Sequence, residues 1–182
     1  MKLVLTFLLV FFSTVTNAQI DELKQLPGYI DFGELSSAYG RPKVKINIGR
    51  TLLKFVSAMA KESDKDGREA AELLQNLQGV RVEVYDLEDD AGPALKVVDD
   101  VSSALEKRKW EAVVSVEDED EERVRIFVNI DGEKISGLVV MAVNGGTRGH
   151  GGNEAVFINI IGELDPAKVG KVTRALDIDV DL

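Results

Sequence analysis

His150 is the only histidine in the chain, and it lies near Arg148 in the stretch Asn144–Glu154, which reads N-G-G-T-R-G-H-G-G-N-E. A histidine can act as base, proton carrier or metal ligand, and an arginine close by can hold an anion. The surrounding glycines raise the idea of a phosphate cradle. The spacing does not fit one. A phosphate loop reads G-x-x-x-x-G-K-[ST] and a dinucleotide fingerprint G-x-G-x-x-G. Here Gly152 is followed by Asn153 and Glu154, and the third glycine after Gly149 and Gly151 falls on Glu154. Both motifs also need a helix next, so that its N-terminus meets the phosphate. The segment after this loop is A-V-F-I-N-I-I, which reads as a strand. No cofactor is expected.

Other chemistries fare no better. A serine nucleophile needs a base and an elbow of the type G-x-S-x-G; His150 is the one imidazole available, and no such elbow occurs. A hydrolase built from His150 and carboxylates is a third-ranked idea. Structural zinc wants about four cysteine or histidine ligands, and the chain has no cysteine. The acidic runs Asp86–Asp90, Glu117–Glu122 and Asp177, Asp179, Asp181 do not match a D-x-[DN]-x-[DN]-G calcium loop, and E-D-E-D-E-E reads as a solvated turn. No catalytic, cofactor-binding or metal-binding residue is assigned, and the chain reads as a non-enzyme.

Composition bounds the partners. The formal charge is −10, with 32 acids against 22 bases. Nucleic acid binding is driven by Lys and Arg displacing counterions from phosphates, so this class is excluded. Met1-Lys2, the apolar run Leu3–Phe12 and the small residues Thr16 and Ala18 have the form of a secretory signal peptide. The run is half the ~20 residues needed to span a bilayer, and no later stretch is longer. Export is expected, to the periplasm or medium, as a soluble protein with no integral membrane segment. Without cysteine it is not a lipoprotein, and no disulfide can brace it. The organisation is therefore a cleaved signal at 1–18, a lead-in at 19–43 and a single domain at 44–182.

The elements are set by periodicity. Val44, Ile46 and Ile48 alternate as a strand, and Leu52, Phe55, Val56 and Met59 recur at helical spacing. Ala70, Leu73, Leu74 and Leu77 continue a helix that Gly79 stops, and Val80, Val82 and Val84 make a second strand. Ala94, Val97, Val98, Val101 and Leu105 line another helix. Four strands come next, at Trp110–Val116, Val124–Ile130, Ile135–Val143 and Ala155–Ile161, with Asp131-Gly132 as a tight turn. A last helix carries Val169, Val172 and Leu176. The pattern predicts an α+β two-layer sandwich, a largely antiparallel sheet of about six strands with helices packed on one face. V-K-I-N-I-G at Val44 and V-F-I-N-I-I-G at Val156 echo each other, as a duplicated β-α unit would.

On the later strands Arg123, Arg125, Phe127 and Asn129 oppose Val124, Ile126, Val128 and Ile130, while Phe157 and Asn159 oppose Val156 and Ile158. Two readings stay open. Phe127 and Phe157 form a partner surface, or the lead-in with its Tyr and Phe residues folds over them. Arg148 and His150 are the other candidates for contacting a partner.

The strand V-K-I-N-I, the helix L-L-K-F-V, the strand L-Q-G-V-R-V-E-V, the pair L-V-V-M-A-V and A-V-F-I-N-I-I-G, and then E-L-D-P-A-K-V together resemble a bacterial family of exported proteins, the domain of unknown function 4252 family. The resemblance covers about Val44 to Asp177. It implies a regulatory or binding role at the envelope and no catalytic residues; many members look like lipoproteins, and this cysteine-free chain departs from that. The expected function is a non-enzymatic binding or envelope-associated module with an envelope protein as partner. The alternative is a periplasmic calcium- or small-ligand-binding protein.

Overall fold

Alternating apolar residues build the first strand, β1 (Val44–Gly49), at one edge of a six-stranded sheet. A computed structural model describes residues 21–33, 35–62, 65–88, 90–118, 122–144 and 153–164; the side chains at 65–67, 69 and 70 are not among those described. The expected signal at 1–18, the expected last helix and the glycine-rich stretch with Arg148 and His150 lie outside the described residues. A short helix, α1 (Ser36–Tyr39), precedes β1, and the helices α2 (Arg50–Lys61) and α3 (Lys65–Gln75) come after it. Then come β2 (Leu77–Asp86), α4 (Gly92–Lys107), β3 (Glu111–Glu117), β4 (Glu122–Asp131), β5 (Lys134–Asn144) and β6 (Glu154–Leu164).

The strand order is β1-β2-β6-β5-β4-β3, and every neighbouring pair is antiparallel. From β3 to β6 the chain is a meander, since short turns suit antiparallel neighbours. Asp131 pairs with Lys134 across a turn whose Gly132 has φ +64°. Asn144 pairs with Glu154, so β5 and β6, which flank the glycine-rich stretch in sequence, are antiparallel neighbours. The α+β class and the antiparallel sheet are as the sequence predicts.

The one-sided arrangement of helices is corrected. Leu138–Val143 and Ala155–Ile161 are buried almost continuously. Such runs belong to strands covered on both faces. On one face Val139, Met141, Phe127 and Phe157 pack under α4 and the lead-in, with Phe32 and Leu105. On the other, Leu138, Val140, Ile158 and Ile160 cluster with Leu53 of α2, and Leu74 of α3 packs against them. Helix α2 lies against β1 and β2, whereas α4 lies against β3, β4 and β5. The outer strand β3 is exposed along nearly its whole length, begins and ends on glutamate, and carries a bulge between Ala112 and Val114.

Two glycines have steric reasons. Gly79 sits within β2 rather than ending a helix, and a Cβ there would lie 2.2 Å from Leu23 Cδ2 of the lead-in. Gly162 has φ +129°, and a Cβ would lie 2.5 Å from the Asn76 carbonyl oxygen and 2.7 Å from Leu77 Cα. Backbone cannot swing away as a side chain can. Gly162→Ala is therefore expected to cost about 2 kcal/mol or more, seen as a lower urea midpoint at unchanged slope. An unchanged midpoint would contradict this backbone geometry.

The two echoing strands flank β2, and Asn47 and Asn159 are both register partners of Arg81. Their surroundings differ: Asn159 is fully buried and Asn47 is half-buried.

Candidate functional site

The buried polar residues of the sheet converge on the lead-in. Alternation on β2 turns Arg81, Glu83 and Tyr85 toward the face it crosses, and Asn159 joins them from β6. Asn159 reads the lead-in backbone in both directions. Its Nδ2 donates to the Gly28 carbonyl at 3.1 Å, and its Oδ1 accepts from the Ile30 N–H at 3.0 Å. Arg81 Nη1 donates to the Ile30 carbonyl at 3.0 Å and to the Tyr29 hydroxyl at 2.9 Å. Its guanidinium lies over the rings of Tyr29 and Phe32, 5.4 and 5.2 Å from their centroids. From the end of α4, Arg108 Nη2 donates to the Pro27 carbonyl at 2.9 Å.

Glu83 holds this cluster together. Its carboxylate is 2% exposed. It accepts from Arg81 Nη2 and lies 3.1 Å from Lys45 Nζ, while the Tyr85 hydroxyl donates to its other oxygen at 3.1 Å. Burial alone would raise its pKa, but Arg81 and Lys45 together outweigh burial and hold it below the usual carboxylate value. Burial and the Glu83 charge push the Tyr85 phenol up to about 12. Hydrogen bonds to charged groups contribute about 1.5–3 kcal/mol each, so the lead-in is clasped rather than draped. The chemistry of the cluster is consumed in binding the chain's own backbone.

Aromatic packing completes the clasp. Phe32 lies 5.3 Å from Phe157, centroid to centroid, and Tyr85 meets Phe157 edge-on at 6.5 Å. The Tyr39 hydroxyl donates to the Asp90 carbonyl at 2.7 Å and accepts from the Ala94 N–H at 3.1 Å, tying α1 to the start of α4.

Phe127 and Phe157 are therefore corrected as a partner surface. They are 1% and 0% exposed, Phe157 beneath the lead-in and Phe127 in the same core beside Leu105 and Trp110 of the α4 end. Of the two readings left open by the sequence, cover by the lead-in is the one realised for Phe157. Arg123 and Arg125, their neighbours on β4, are taken up by Glu117 and, for Arg123, Asp99 of α4. Ser102 Oγ and Arg123 Nε are buried near this seam without a described protein partner. Among the described residues no group of three or more His, Cys, Asp or Glu is placed to hold a metal ion; Asp89 of the first acidic run, residues 119–121 of the second and all of the third fall outside them.

The surface that the sequence concealed is on α2. Leu52, Phe55, Val56 and Met59 read as the core stripe of that helix, yet they are 39%, 61%, 41% and 63% exposed. Leu53 and Ser57 are the residues turned inward, with Ser57 Oγ donating to the Ala71 carbonyl of α3 at 2.9 Å. A serine on the buried face and a wide apolar arc outside it make the two sides hard to tell apart by hydropathy. Charge misleads as well: Arg50, Lys54 and Lys61 lie on the side of α2 away from the apolar arc, which by hydropathy alone would place that arc in the core. Val44 and Ile46 of the edge strand β1 are also exposed, on the sheet face that α2 covers.

A six-stranded antiparallel sheet, covered on both faces and clasping its own N-terminal lead-in, defines the class of domain. Residues 39–172 match the family described as domain of unknown function DUF4252, and the chain belongs to that family. The match starts at Tyr39, so most of the lead-in precedes it, while Arg81, Glu83, Phe157 and Asn159, which hold the lead-in, fall inside it. No curated protein matches the chain.

Proposed function

We propose that the protein is an exported, non-enzymatic binding module of the cell envelope. The observation that carries this reading is the exposed apolar arc of α2, Leu52, Phe55, Val56 and Met59. Contiguous exposed apolar surface of this kind marks interaction sites in soluble proteins. Support for export comes from the 1–18 pattern. Support for a non-catalytic role comes from Arg81 and Glu83, buried ionisable groups that hold the lead-in instead of facing a groove. An envelope protein is the expected partner.

The test is fractionation in cells that make the protein. Wild type is expected in the envelope fraction, and Phe55→Ser with Met59→Ser should release it to the soluble periplasm at unchanged thermal stability. Cytoplasmic recovery of the wild type, or equal retention of the double variant, would refute the proposal. A second reading, a small-ligand binder, draws on a groove of about 380 Å³ between the lead-in and α4, floored by Ile30, Phe32, Val101 and Leu105 and rimmed by Asp31 and Arg108. Its size is within the range of ligand pockets.

A further inference from the structure

We infer that two copies of the chain join edge to edge through β1, with their α2 arcs packed together across the two-fold axis. The inference rests on the reading of the α2 arc as a contact surface and names its first occupant; an envelope protein would meet the pair. Three observations carry it. First, β1 ends the strand order with β2 on one side only, and among the described residues no other backbone bonds to it. A free edge of this kind is a template for a further strand. Second, the two edges of the sheet are built differently. β3 carries a bulge and begins and ends on glutamate, devices that keep other strands away. β1 pairs with β2 from Val44 to Gly49 without a bulge, holds no proline or acid, and has its one cation, Lys45, drawn to Glu83. Third, apolar surface borders this bare edge. Val44 and Ile46 are 38% and 40% exposed on the sheet face that α2 covers, and the arc Leu52, Phe55, Val56 and Met59 is exposed above them.

Helical geometry turns the arc toward that edge. At about 100° per residue, the arc lies on the flank of α2 opposite Ser57, which bonds α3. Helix α2 lies over β1 and β2, and Leu74 of α3 packs against the cluster of the inner strands. With α3 on one flank, the other overlooks the edge of the sheet. A two-fold axis through Ile46 sets that residue against its own copy and Val44 against Ile48, apolar pairs on the α2 face. On the other face it sets Lys45 against Asn47, so no lysine opposes a lysine. An extended peptide of another protein would pair with β1 and leave the arc in water. A second copy supplies a strand and an apolar helix flank in one operation, and each contact is made twice. Charge permits the approach here. Arg50, Lys54 and Lys61 lie on the far side of α2 from the arc, and Lys43 and Lys45 are paired with Glu154 and Glu83. No acid occurs from Arg41 to Lys61. Two copies of net charge −10 therefore meet at β1 without acid against acid, whereas the β3 edge would bring glutamates together.

The experiment is sedimentation equilibrium of the purified protein over a range of micromolar concentrations. A dimer that dissociates on dilution is expected. Ile46→Lys and, separately, Phe55→Ser/Met59→Ser should each raise its dissociation constant about tenfold or more, and Val116→Lys on β3 should leave it unchanged. These side chains are exposed, so the circular dichroism of the variants should match that of the wild type. Any N-terminal apolar run is common to all of them, and association through it would survive the substitutions. The chain has no cysteine, so a single introduced thiol reports the seam. Ile46→Cys should give a covalent dimer under mild oxidation, because Cβ atoms of directly opposed residues lie about 4.5–5.5 Å apart, and Val113→Cys on β3 should not. A monomer at every concentration, a dimer indifferent to either the Ile46→Lys or the Phe55→Ser/Met59→Ser change, or cross-linking through Val113 in place of Ile46 would overturn the inference. A monomer whose envelope retention still needs Phe55 and Met59 would overturn the second copy alone and leave the binding module standing. A dimer lost in Phe55→Ser/Met59→Ser at unchanged envelope retention would support the seam and refute the envelope reading.

Discussion

Phe157→Ala is expected to lower the stability of the protein by about 3–5 kcal/mol, the usual cost of emptying a fully buried aromatic site. Phe157 has no exposed surface and touches Phe32, Tyr85 and the lead-in side of the core. Its removal opens a cavity between the sheet and the lead-in, and the rigid strands beside it cannot collapse to fill the space. Urea unfolding followed by circular dichroism would measure the change. Phe55→Ala makes the informative contrast: a side chain 61% exposed should change stability by no more than about 0.5 kcal/mol. Two phenylalanines of one chain are thus expected to part completely, one supporting the fold and one the surface. Equal effects would mean that the lead-in does not cover β6.

Arg81→Met should be as damaging, about 3–5 kcal/mol, because it leaves Glu83 buried with one cation fewer. It also strips the Ile30 carbonyl and the Tyr29 hydroxyl of their donor. Lys45 remains beside Glu83, half-exposed, which holds the loss toward the lower end of that range. The double variant Arg81→Met/Glu83→Gln should recover part of it, since no unpaired charge is then enclosed. The same cluster sets an acid limit. Glu83 has a folded-state pKa below its ordinary value of 4.5, so the unfolded chain takes up the proton first as pH falls. The stabilisation is complete above about 4.5 and is lost as pH drops through the lower folded value. Melting temperature should therefore fall more steeply with acid in the wild type than in Glu83→Gln. Parallel acid profiles would contradict the role given to Glu83.

The strands were legible in the sequence because a period of two, as in Val80–Val84 and Val124–Ile130, matches the alternating faces of a strand and no helical spacing. The α4 face was legible as well: Ala94, Val98, Val101 and Leu105 are buried as their spacing predicts. The sidedness of the sheet was not. It depended on reading Leu138–Val143 as a doubly covered run instead of an alternating one. Which side of α2 is buried was equally hidden, since Leu52 and Leu53 are adjacent leucines and only the fold decides between them. The partner of Asn159 could not be seen either. A polar residue in an apolar strand announces a need for hydrogen bonds, but nothing local says that Gly28 and Ile30 will meet it.

The clasp also fixes an order of events. Asn159 reaches back 131 residues to Gly28 and 129 to Ile30, and β2 finds β6 only once the whole meander exists. The lead-in, first of the described residues to be synthesised, has no seat until nearly the last strand has been made. Contacts so distant along the chain slow folding, because the intervening loop must be closed before the pairing rewards it. The β1–β2 pair and the β3–β5 meander cannot join until β6 emerges between them, and the strap is seated only then.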